Sequence, residues 1–299
     1  MVDYYNEIKN KLIDDEVYRR VKDYSKERHR VMTYYEIGKL LNEAGGKYGD
    51  NIIGEYAKKL SVDIGTKYNR RTLFRMKKFY SVFSNEKVST LLTQLTWSHY
   101  LLLLPIKDYN KIIYYINTSI NKKLTQRQLQ EAINNKEYER LPNSTKNKLI
   151  NKEKTNVSDL VKNPIIIKKS KKYEIISEKI LKQIIIDDIE SFMRELGNAF
   201  SFIGSEYRIK IGNTYNYIDL LLFNYEYNCF VVVELKVTEL KKEHIGQIQV
   251  YMNYIDNNLK RIYQDKTIGI IICKEDNQYI IKYSSDDRIL SRTYELVCF

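Results

Sequence analysis

Three ionisable residues lie inside two apolar, strand-like runs of this 299-residue chain. Asp219 lies in the run Ile218–Phe223, and both Glu234 and Lys236 lie in the run Val231–Lys236. Burying an unpaired charge costs several kcal/mol, so such groups rarely stand in apolar strands without a chemical or structural reason. Asp219, Glu234 and Lys236 are therefore the first candidates for a functional site.

Strand geometry predicts that these three side chains converge. Side chains alternate along a strand, so Glu234 and Lys236 project from the same face. If residues 215–223 and 229–236 form an antiparallel hairpin, Asp219 lies opposite a residue within about two positions of Glu234. The sequence therefore predicts two carboxylates and one ammonium on a single patch.

This trio has the chemistry of a metal-dependent hydrolytic site. Two carboxylates suit Mg²⁺, which keeps several waters and accepts a substrate phosphate as a further ligand. A lysine beside them could orient or help deprotonate a metal-bound water and stabilise charge on a reacting phosphate. The alternative is a structural cluster in which Lys236 neutralises the two acids.

The elements that would position the trio follow an α/β order. Residues 174–196 predict a long amphipathic helix that ends before Gly197, and residues 241–257 predict a second helix. The predicted strands are 206–211, 215–223 and 229–236 between the helices, and 267–273 and 279–283 after them. This order favours a small mixed sheet flanked by helices.

The first 140 residues predict helices throughout, because their apolar residues recur at spacings of three and four. One helix begins near Asn69, which can cap it, and its apolar face consists of Leu73, Met76 and Tyr80. Its basic side chains resemble those of a recognition helix and are predicted to bind nucleic acid: Arg70, Arg71, Arg75, Lys77 and Lys78. An ordinary amphipathic helix with a solvated face is the alternative.

Charge divides the chain into unlike parts. Residues 1–172 contain 35 Lys and Arg against 19 Asp and Glu, whereas residues 173–299 contain 15 against 19. Residues 141–172, rich in Asn, Lys and Ser, predict a linker between a basic helical domain at 1–140 and an α/β domain at 173–299. A basic region attracts polyanions through phosphate neutralisation, although a well-solvated lysine-rich surface would have the same composition.

Composition excludes several classes of protein. The three cysteines are widely spaced without a CxxC pair, which argues against a disulfide framework and a structural zinc site. No apolar stretch approaches the roughly 18 residues of a membrane span, and the polar start is unlike a secretory signal. We expect a soluble cytoplasmic protein with no membrane partner. No phosphate-binding glycine loop, nucleophile elbow or HExxH motif supports other hydrolytic chemistries.

The spacing of the trio, with fourteen residues between Asp219 and the Glu234-x-Lys236 string, resembles the signature of the PD-(D/E)XK nuclease superfamily. Further strings in the same order resemble the YhcG-type bacterial PDDEXK nuclease domain-containing proteins over nearly the whole chain. They are TWSHY at 96–100, LTQRQL at 124–129, EYERL at 137–141, MRELG at 193–197, FSFIGSEYRIKIG at 200–212, YIDLLLF at 217–223 and VVVELKVTELKKEHIGQ at 231–247. The resemblance implies a helical N-terminal domain followed by a restriction-endonuclease-like domain.

The resemblance also implies a role for each site residue. Asp219 and Glu234 match the metal-binding acids, with the backbone carbonyl of Leu235 as a further ligand. Lys236 matches the catalytic lysine, and Gln247 matches the glutamine on the helix beside the site. The implied cofactor is Mg²⁺ or Mn²⁺, and the implied partner is DNA.

One position departs from the family pattern. The helix that precedes the strands usually carries a Leu-Glu pair, and this chain has Leu181-Lys182 there. Glu178 lies one turn earlier on the same helical face and is the candidate replacement as a metal ligand. Without a replacement, Lys182 places a like charge beside the cation and weakens metal binding.

These observations predict a Mg²⁺-dependent endonuclease that hydrolyses phosphodiester bonds of DNA, with the DNA held by the basic helical domain. The alternative is a weak or inactive nuclease-fold protein that binds nucleic acid or assembles with protein. A third interpretation makes the N-terminal domain a protein-binding module. Its partner would be a second copy of the chain or a protein of a defence or mobile-element system.

Overall fold

The computed structural model describes residues 3–20, 26–49, 51–84, 94–151, 153–197, 199–284 and 286–298. The chain forms two compact units, Met1–Tyr138 and Glu139–Phe299. Throughout its described residues the first unit is helical, which confirms the helical prediction. Its helices are α1 (Tyr4–Arg20), α2 (Lys26–Tyr48), α3 (Asn51–Asp63), α4 (Arg70–Phe83), α5 (Trp97–Leu103), α6 (Tyr109–Asn121) and α7 (Gln126–Asn134), with a 3₁₀ turn at Thr66–Tyr68.

Helix α4 is the segment predicted to carry the basic surface. The side chain of Asn69 caps it by accepting a hydrogen bond of 3.1 Å from the Thr72 amide, as predicted. The buried face of α4 consists of Leu73, Met76, Phe79 and Phe83. Tyr80, predicted on this face, is only half-buried, because the helix turns Phe79 into the core instead.

Helix α2 packs closely against α4 because residue 38 is a glycine. A Cβ at Gly38 would lie 2.2 Å from the carbonyl oxygen of Met76, so a larger residue would force the helices apart. Helix α2 continues through Gly45 and Gly46 to Tyr48. The chain leaves the helix at Gly49, whose φ of 79° suits glycine.

The second unit is built on a six-stranded mixed sheet with the strand order β1-β6-β5-β4-β3-β2. Strands β2, β3 and β4 form an antiparallel meander, as predicted, and the pairs β4·β5, β5·β6 and β1·β6 are parallel. The strands are β1 (Ile165–Lys169), β2 (Phe200–Ile211), β3 (Thr214–Asn224), β4 (Cys229–Glu239), β5 (Asp265–Glu275) and β6 (Ile289–Cys298). The predicted α/β fold with a mixed sheet flanked by helices is confirmed.

Helices cover both faces of this sheet. Those of the second unit are α8 (Asn143–Asn151), α9 (Val157–Leu160), α10 (Glu178–Asp187), α11 (Ile189–Leu196), α12 (Lys242–Asn258) and α13 (Gln278–Lys282). Helices α10 and α11 pack on one face against Leu220, Val233 and Leu235. Helix α12 packs on the other face, where Ile248 and Met252 meet Ile218 and Val232 among others. The strands thus carry apolar residues on both sides.

Two predicted elements differ from the structure. Residues 279–283, predicted as a strand, lie largely in the short helix α13, whose Ile280 and Ile281 pack partly against the α12 core. The predicted helix 174–196 is two helices, because the Asp188 side chain accepts a hydrogen bond from the Ser191 amide and caps a new helix, α11. Strand β6 was missed because only its first three residues are buried.

The predicted linker at 141–172 is also wrong. It contains α8, α9 and β1, and β1 is the edge strand that pairs with β6. The guanidinium of Arg292 on β6 donates to the Val161 and Ser158 carbonyls, at 2.9 and 3.0 Å. Hydrogen bonds of this kind make the segment part of the second unit, and composition alone does not reveal them.

A buried charge cluster holds this segment against α11. The Glu195 carboxylate accepts from Arg140 and from the Ile166 amide, and Lys162 lies 3.2 Å from it. Burial raises the pKa of Glu195, but Lys162 and Arg140 outweigh burial, and the pKa is lowered below its usual value of 4.5. Glu195 is therefore ionised and balances two buried cations.

Replacing Glu195 with Gln should destabilise the second unit by about 3 kcal/mol at neutral pH, because the charge of this carboxylate no longer balances Arg140 and Lys162. A carboxylate with a lowered folded-state pKa contributes stability above its unfolded pKa and loses it as pH falls through the folded value. The deficit of Glu195→Gln should therefore shrink in acid. Urea unfolding at several pH values measures it.

Glu190→Gln is the matched control. Glu190 lies on the same helix and pairs with Arg194, but its side chain is 80% exposed. Exposed pairs contribute about 0–1 kcal/mol, so this variant should unfold nearly as the wild type does. Equal destabilisation by both substitutions would contradict the role assigned to the Glu195 cluster.

Candidate active site

Asp219 lies where the ladder between β3 and β4 ends. The last paired residues are Leu220 and Val233, and Asp219 follows one position beyond them. The Leu235 amide donates a hydrogen bond of 2.9 Å to one oxygen of the Asp219 carboxylate. Beyond this point the Asp219 side chain, and not the backbone of β3, hydrogen-bonds to β4. Its carboxylate therefore lies beside the backbone of β4.

Glu234 projects from β4 and is 3% exposed. Its Oε1 accepts a hydrogen bond of 2.9 Å from the Lys236 ammonium, while its Oε2 is buried without a partner. Burial raises the pKa of Glu234, the neighbouring charge of Asp219 raises it further, and Lys236 only partly offsets them, so the pKa is about 7. A buried carboxylate whose second oxygen has no hydrogen-bond partner can bind a cation or a proton at that oxygen.

Lys236 lies two residues further along β4 and is 8% exposed. Its ammonium lies 2.9 Å from Glu234 Oε1 and 3.7 Å from Glu178 Oε2. Burial lowers the pKa of Lys236, but the hydrogen bond and charge of Glu234 and the charge of Glu178 outweigh burial and raise it. Lys236 is therefore a fixed positive charge and not a ready proton acceptor.

Helix α10 presents two side chains of opposite charge to the site. Glu178 and Lys182 are one turn apart, and the Ser177 side chain caps the helix through the Ile180 amide. Glu178 faces Lys236, whereas the Lys182 ammonium lies 3.1 Å from Asp219 and 2.8 Å from Glu206. The helix position at which the family pattern predicts an acid is therefore occupied by Lys182, whose ammonium contacts Asp219.

The Lys182 side chain is protonated in this arrangement. Burial lowers the pKa of Lys182, but Glu206 and Asp219 outweigh burial and raise it. Glu206 lies on β2 and has a φ of 47°, in the left-handed region that few residues other than glycine adopt. Its side chain is 63% exposed, so Lys182 bridges a half-buried acid and a solvated one.

Helix α12 supplies the predicted Gln247 and a residue that sequence reasoning missed. The Gln247 amide donates a hydrogen bond of 3.1 Å to the Tyr251 hydroxyl. His244 is one turn earlier and buried; its Nδ1 accepts from the Lys241 amide at 3.1 Å. Burial lowers the pKa of His244, and the charge of Lys236 lowers it further. The three-residue spacing from Gln247 is the signal that would have indicated His244.

The donor set fits one hard divalent cation. Asp219 and Glu234 contribute carboxylate oxygens, and the unpartnered Glu234 Oε2 is free to bind. Within a strand the N–H and C=O of one residue point toward the same edge, so the Leu235 carbonyl faces Asp219 as its amide does. Among the described residues no three His, Cys, Asp or Glu side chains form a metal cluster. Such a site leaves positions for water and phosphate, as Mg²⁺ prefers.

The predicted nucleic-acid-binding residues lie in the first unit on α4. Arg70, Arg71 and Lys78 are exposed, whereas Arg75 and Lys77 are partly buried. The Arg70 guanidinium lies 5.4 Å from the centre of the Phe74 ring. Their contact with nucleic acid remains a prediction. In the part of the chain that the structure describes, no helix is long and apolar enough to cross a membrane.

Comparison with known proteins gives two family matches. Residues 158–297 match the YhcG PDDEXK nuclease domain, and residues 10–140 match the DUF1016 N-terminal domain. The chain is 25% identical over 289 residues to a protein of Escherichia coli (strain K12) described as "Putative nuclease YhcG". That alignment covers 81% of this chain and 76% of the relative.

Two solved structures show a weaker likeness. A repair endonuclease from Pyrococcus abyssi is 18% identical with a TM-score of 0.29, and the match covers 43% of this chain and 49% of that one. A complex of EndoMS with double-stranded DNA is 16% identical with a TM-score of 0.29, and covers 43% and 48%. The match spans about half the length of these structures.

The two family models account for most of the chain in the order that the resemblance predicted, so that prediction is confirmed. The chain belongs to the YhcG-type proteins, in which a DUF1016 N-terminal domain precedes a PDDEXK nuclease domain.

Proposed function

We propose that this protein is a Mg²⁺- or Mn²⁺-dependent endonuclease that hydrolyses phosphodiester bonds of DNA. The observation that carries the proposal is the buried Glu234 carboxylate, which has an unpartnered oxygen beside Asp219 and a hydrogen bond to Lys236. The charge of Asp219 raises the pKa of Glu234, and a bound cation would relieve this repulsion. The match to a PDDEXK nuclease domain supports the same chemistry.

Asp219, Glu234 and the Leu235 carbonyl would hold the cation, with Glu178 available from α10. When bound, a divalent cation polarises a phosphate and lowers the pKa of its water. Lys236 holds a permanent positive charge beside this point, where it can orient the attacking water and stabilise negative charge on the phosphate. Gln247, held by Tyr251, would position water or phosphate.

DNA is the proposed substrate because residues 1–172 carry 35 Lys and Arg against 19 Asp and Glu. A basic surface neutralises phosphates and releases counterions. On α4 the exposed Arg70, Arg71 and Lys78 would contact the backbone of the DNA. The charge of this region would therefore hold the substrate without reading its sequence.

A second candidate function rests on the contact between Lys182 and Asp219. If the Lys182 ammonium stays bound to Asp219 and prevents a divalent cation from binding there, the domain would cleave weakly or not at all. It would then bind nucleic acid or protein. A titration that detects no DNA binding by the protein, together with self-association, would favour the assembly role.

Plasmid nicking or cleavage tests the catalytic claim. Wild-type protein should cleave with Mg²⁺ or Mn²⁺, and the Asp219→Ala/Lys236→Ala variant should lose roughly a hundredfold or more, because charge stabilisation at the phosphate is removed. Lys274→Ala/Asp287→Ala is the control, since it removes the same charges from exposed positions of the same unit. Equal cleavage by wild type and the site variant would eliminate the proposed active site.

Unfolding in the absence of metal tests the state of Glu234. Its folded-state pKa of about 7 exceeds the usual 4.5, so the folded protein binds more protons between these values and loses stability as pH rises. Glu234→Gln removes this penalty and should raise the free energy of unfolding by about 3 kcal/mol near pH 8, with no gain near pH 4.

Adding Mg²⁺ completes this test. It should stabilise the wild type and not Glu234→Gln, because a bound ligand stabilises only the state that binds it. Thermal unfolding with and without chelator measures both effects. A variant that keeps the pH dependence and the Mg²⁺ response of the wild type would rule out Glu234 as a cation ligand.

Lys182→Glu tests whether this lysine limits metal binding. The substitution replaces a like charge beside Asp219 with a potential ligand and should tighten Mn²⁺ or Mg²⁺ binding about tenfold or more, as measured by calorimetry. Lys179→Glu makes the same charge change at an exposed position of the same helix and should have little effect. Unchanged affinity in Lys182→Glu would show that Lys182 does not compete with the cation.

A further inference from the structure

Strands β2 and β3 form a ribbon that presents one exposed face of tyrosines and basic residues. Arg208 pairs with Tyr217 and Lys210 pairs with Tyr215 in the antiparallel register. Directly opposed residues of antiparallel strands project from the same face, so these four side chains form one surface. Tyr215 and Tyr217 are 53% and 54% exposed, and Arg208 and Lys210 are also exposed.

The core does not account for these tyrosines. The opposite face of the ribbon carries Ile209 and Ile218, which are 1% and 0% exposed and pack in the cluster that includes Ile248 and Met252 of α12. The alternation of the strands therefore places apolar residues inward and the tyrosines outward. Two rings side by side on the solvated face are available for binding.

Both cations lie over the ring of Tyr215. The Arg208 guanidinium lies 5.0 Å from the centre of the Tyr215 ring, and the Lys210 ammonium lies 6.0 Å from it. Residues 173–299 together have more acidic than basic residues, at 19 against 15, so a basic patch here goes against the composition of the unit. Its charge is complementary to a polyanion.

This surface leads directly to the candidate active site. Tyr215, Tyr217 and Asp219 are alternate residues of β3. At a rise of about 3.4 Å per residue, Tyr217 lies about 7 Å and Tyr215 about 14 Å from Asp219 along the strand. A ligand that follows the two tyrosines therefore reaches the carboxylate that would hold the cation.

We propose that Tyr215, Tyr217, Arg208 and Lys210 form a binding track for a single-stranded segment of nucleic acid. The tyrosine rings stack on successive bases, and the two cations contact the phosphates. Stacking on aromatic faces together with a basic groove is how proteins bind single strands without reading sequence. The delivery of the strand to Asp219 rests on the proposed function, whereas the binding itself does not.

Fluorescence anisotropy of the full-length protein with a short labelled single-stranded DNA of mixed sequence tests the track. Chelator is present, so cleavage plays no part. Tyr215→Ala/Tyr217→Ala should weaken binding roughly tenfold or more, and Tyr215→Phe/Tyr217→Phe should bind nearly as the wild type does, because stacking uses the ring and not the hydroxyl. Tyr263→Ala/Tyr279→Ala removes two rings that are each 74% exposed elsewhere in the unit and should have no effect.

Each comparison is repeated in an Arg70→Ala/Arg71→Ala/Arg75→Ala background, so that binding by α4 does not mask the track. Arg208→Gln/Lys210→Gln provides an independent variant that keeps the rings. It should reduce the slope of log affinity against log salt concentration by about 1.4, which corresponds to two phosphate contacts on a single strand. Matching duplex DNA should be less sensitive to loss of the tyrosines, since its bases are already stacked.

Three results would overturn the track. They are unchanged single-strand affinity of the Tyr→Ala pair in both backgrounds, an equal loss for duplex and single strand, and a change in oligomeric state by sedimentation without a change in DNA affinity. The last result would assign the face to contact with a second copy of the chain. If plasmid cleavage is absent while the tyrosines still control strand binding, the proposed nuclease function fails and the track stands.

Discussion

The candidate site depends on the hydrogen bond from the Leu235 amide to the Asp219 carboxylate. Backbone pairing between β3 and β4 stops at Leu220 and Val233, and this bond continues the contact between the strands through a side chain. It places one acid against the backbone of the strand that carries Glu234 and Lys236. In this position the charge of Asp219 raises the pKa of Glu234.

Two lysines offset most of the carboxylate charge of the site without a metal. Lys182 contacts Asp219, and Lys236 contacts Glu234 and Glu178, so two ammonium groups face three carboxylates. The remaining unsatisfied atom is Glu234 Oε2. Buried charges must be paired for the domain to fold, and here the pairing groups are the lysines. The fold can therefore be stable in the absence of a cation, while the residual negative charge still favours binding one.

Asp219, Glu234 and Lys236 could be predicted from the sequence because each interrupts a strongly apolar strand. The alternation of side chains along a strand then places Glu234 and Lys236 on the same face. The hairpin of β3 and β4, the helix at 241–257 and the Asn69 cap followed from equally local signals. Strands β1 and β6 could not be predicted in this way. They pair with strands that are distant in sequence, and few of their side chains are buried. The Glu195 cluster was missed for a related reason: Lys162 lies in an Asn- and Lys-rich segment that has the composition of a linker, and Arg140 lies just before this segment. The site residue His244 was missed because its three-residue spacing from Gln247 was not used.

Lys182 has two partners, and this decides whether a lysine at that position is compatible with catalysis. An ammonium bound only to Asp219 would become unpaired in a partly buried place if a cation displaced it, at a cost of several kcal/mol. Glu206 lies 2.8 Å from the same ammonium and is largely exposed, so Lys182 can leave Asp219 and keep a solvated partner. The exchange therefore leaves the Lys182 ammonium paired with an acid. If the proposed cation binds, its competition with Lys182 for Asp219 would be decided mainly at Glu234, whose Oε2 is buried without a partner.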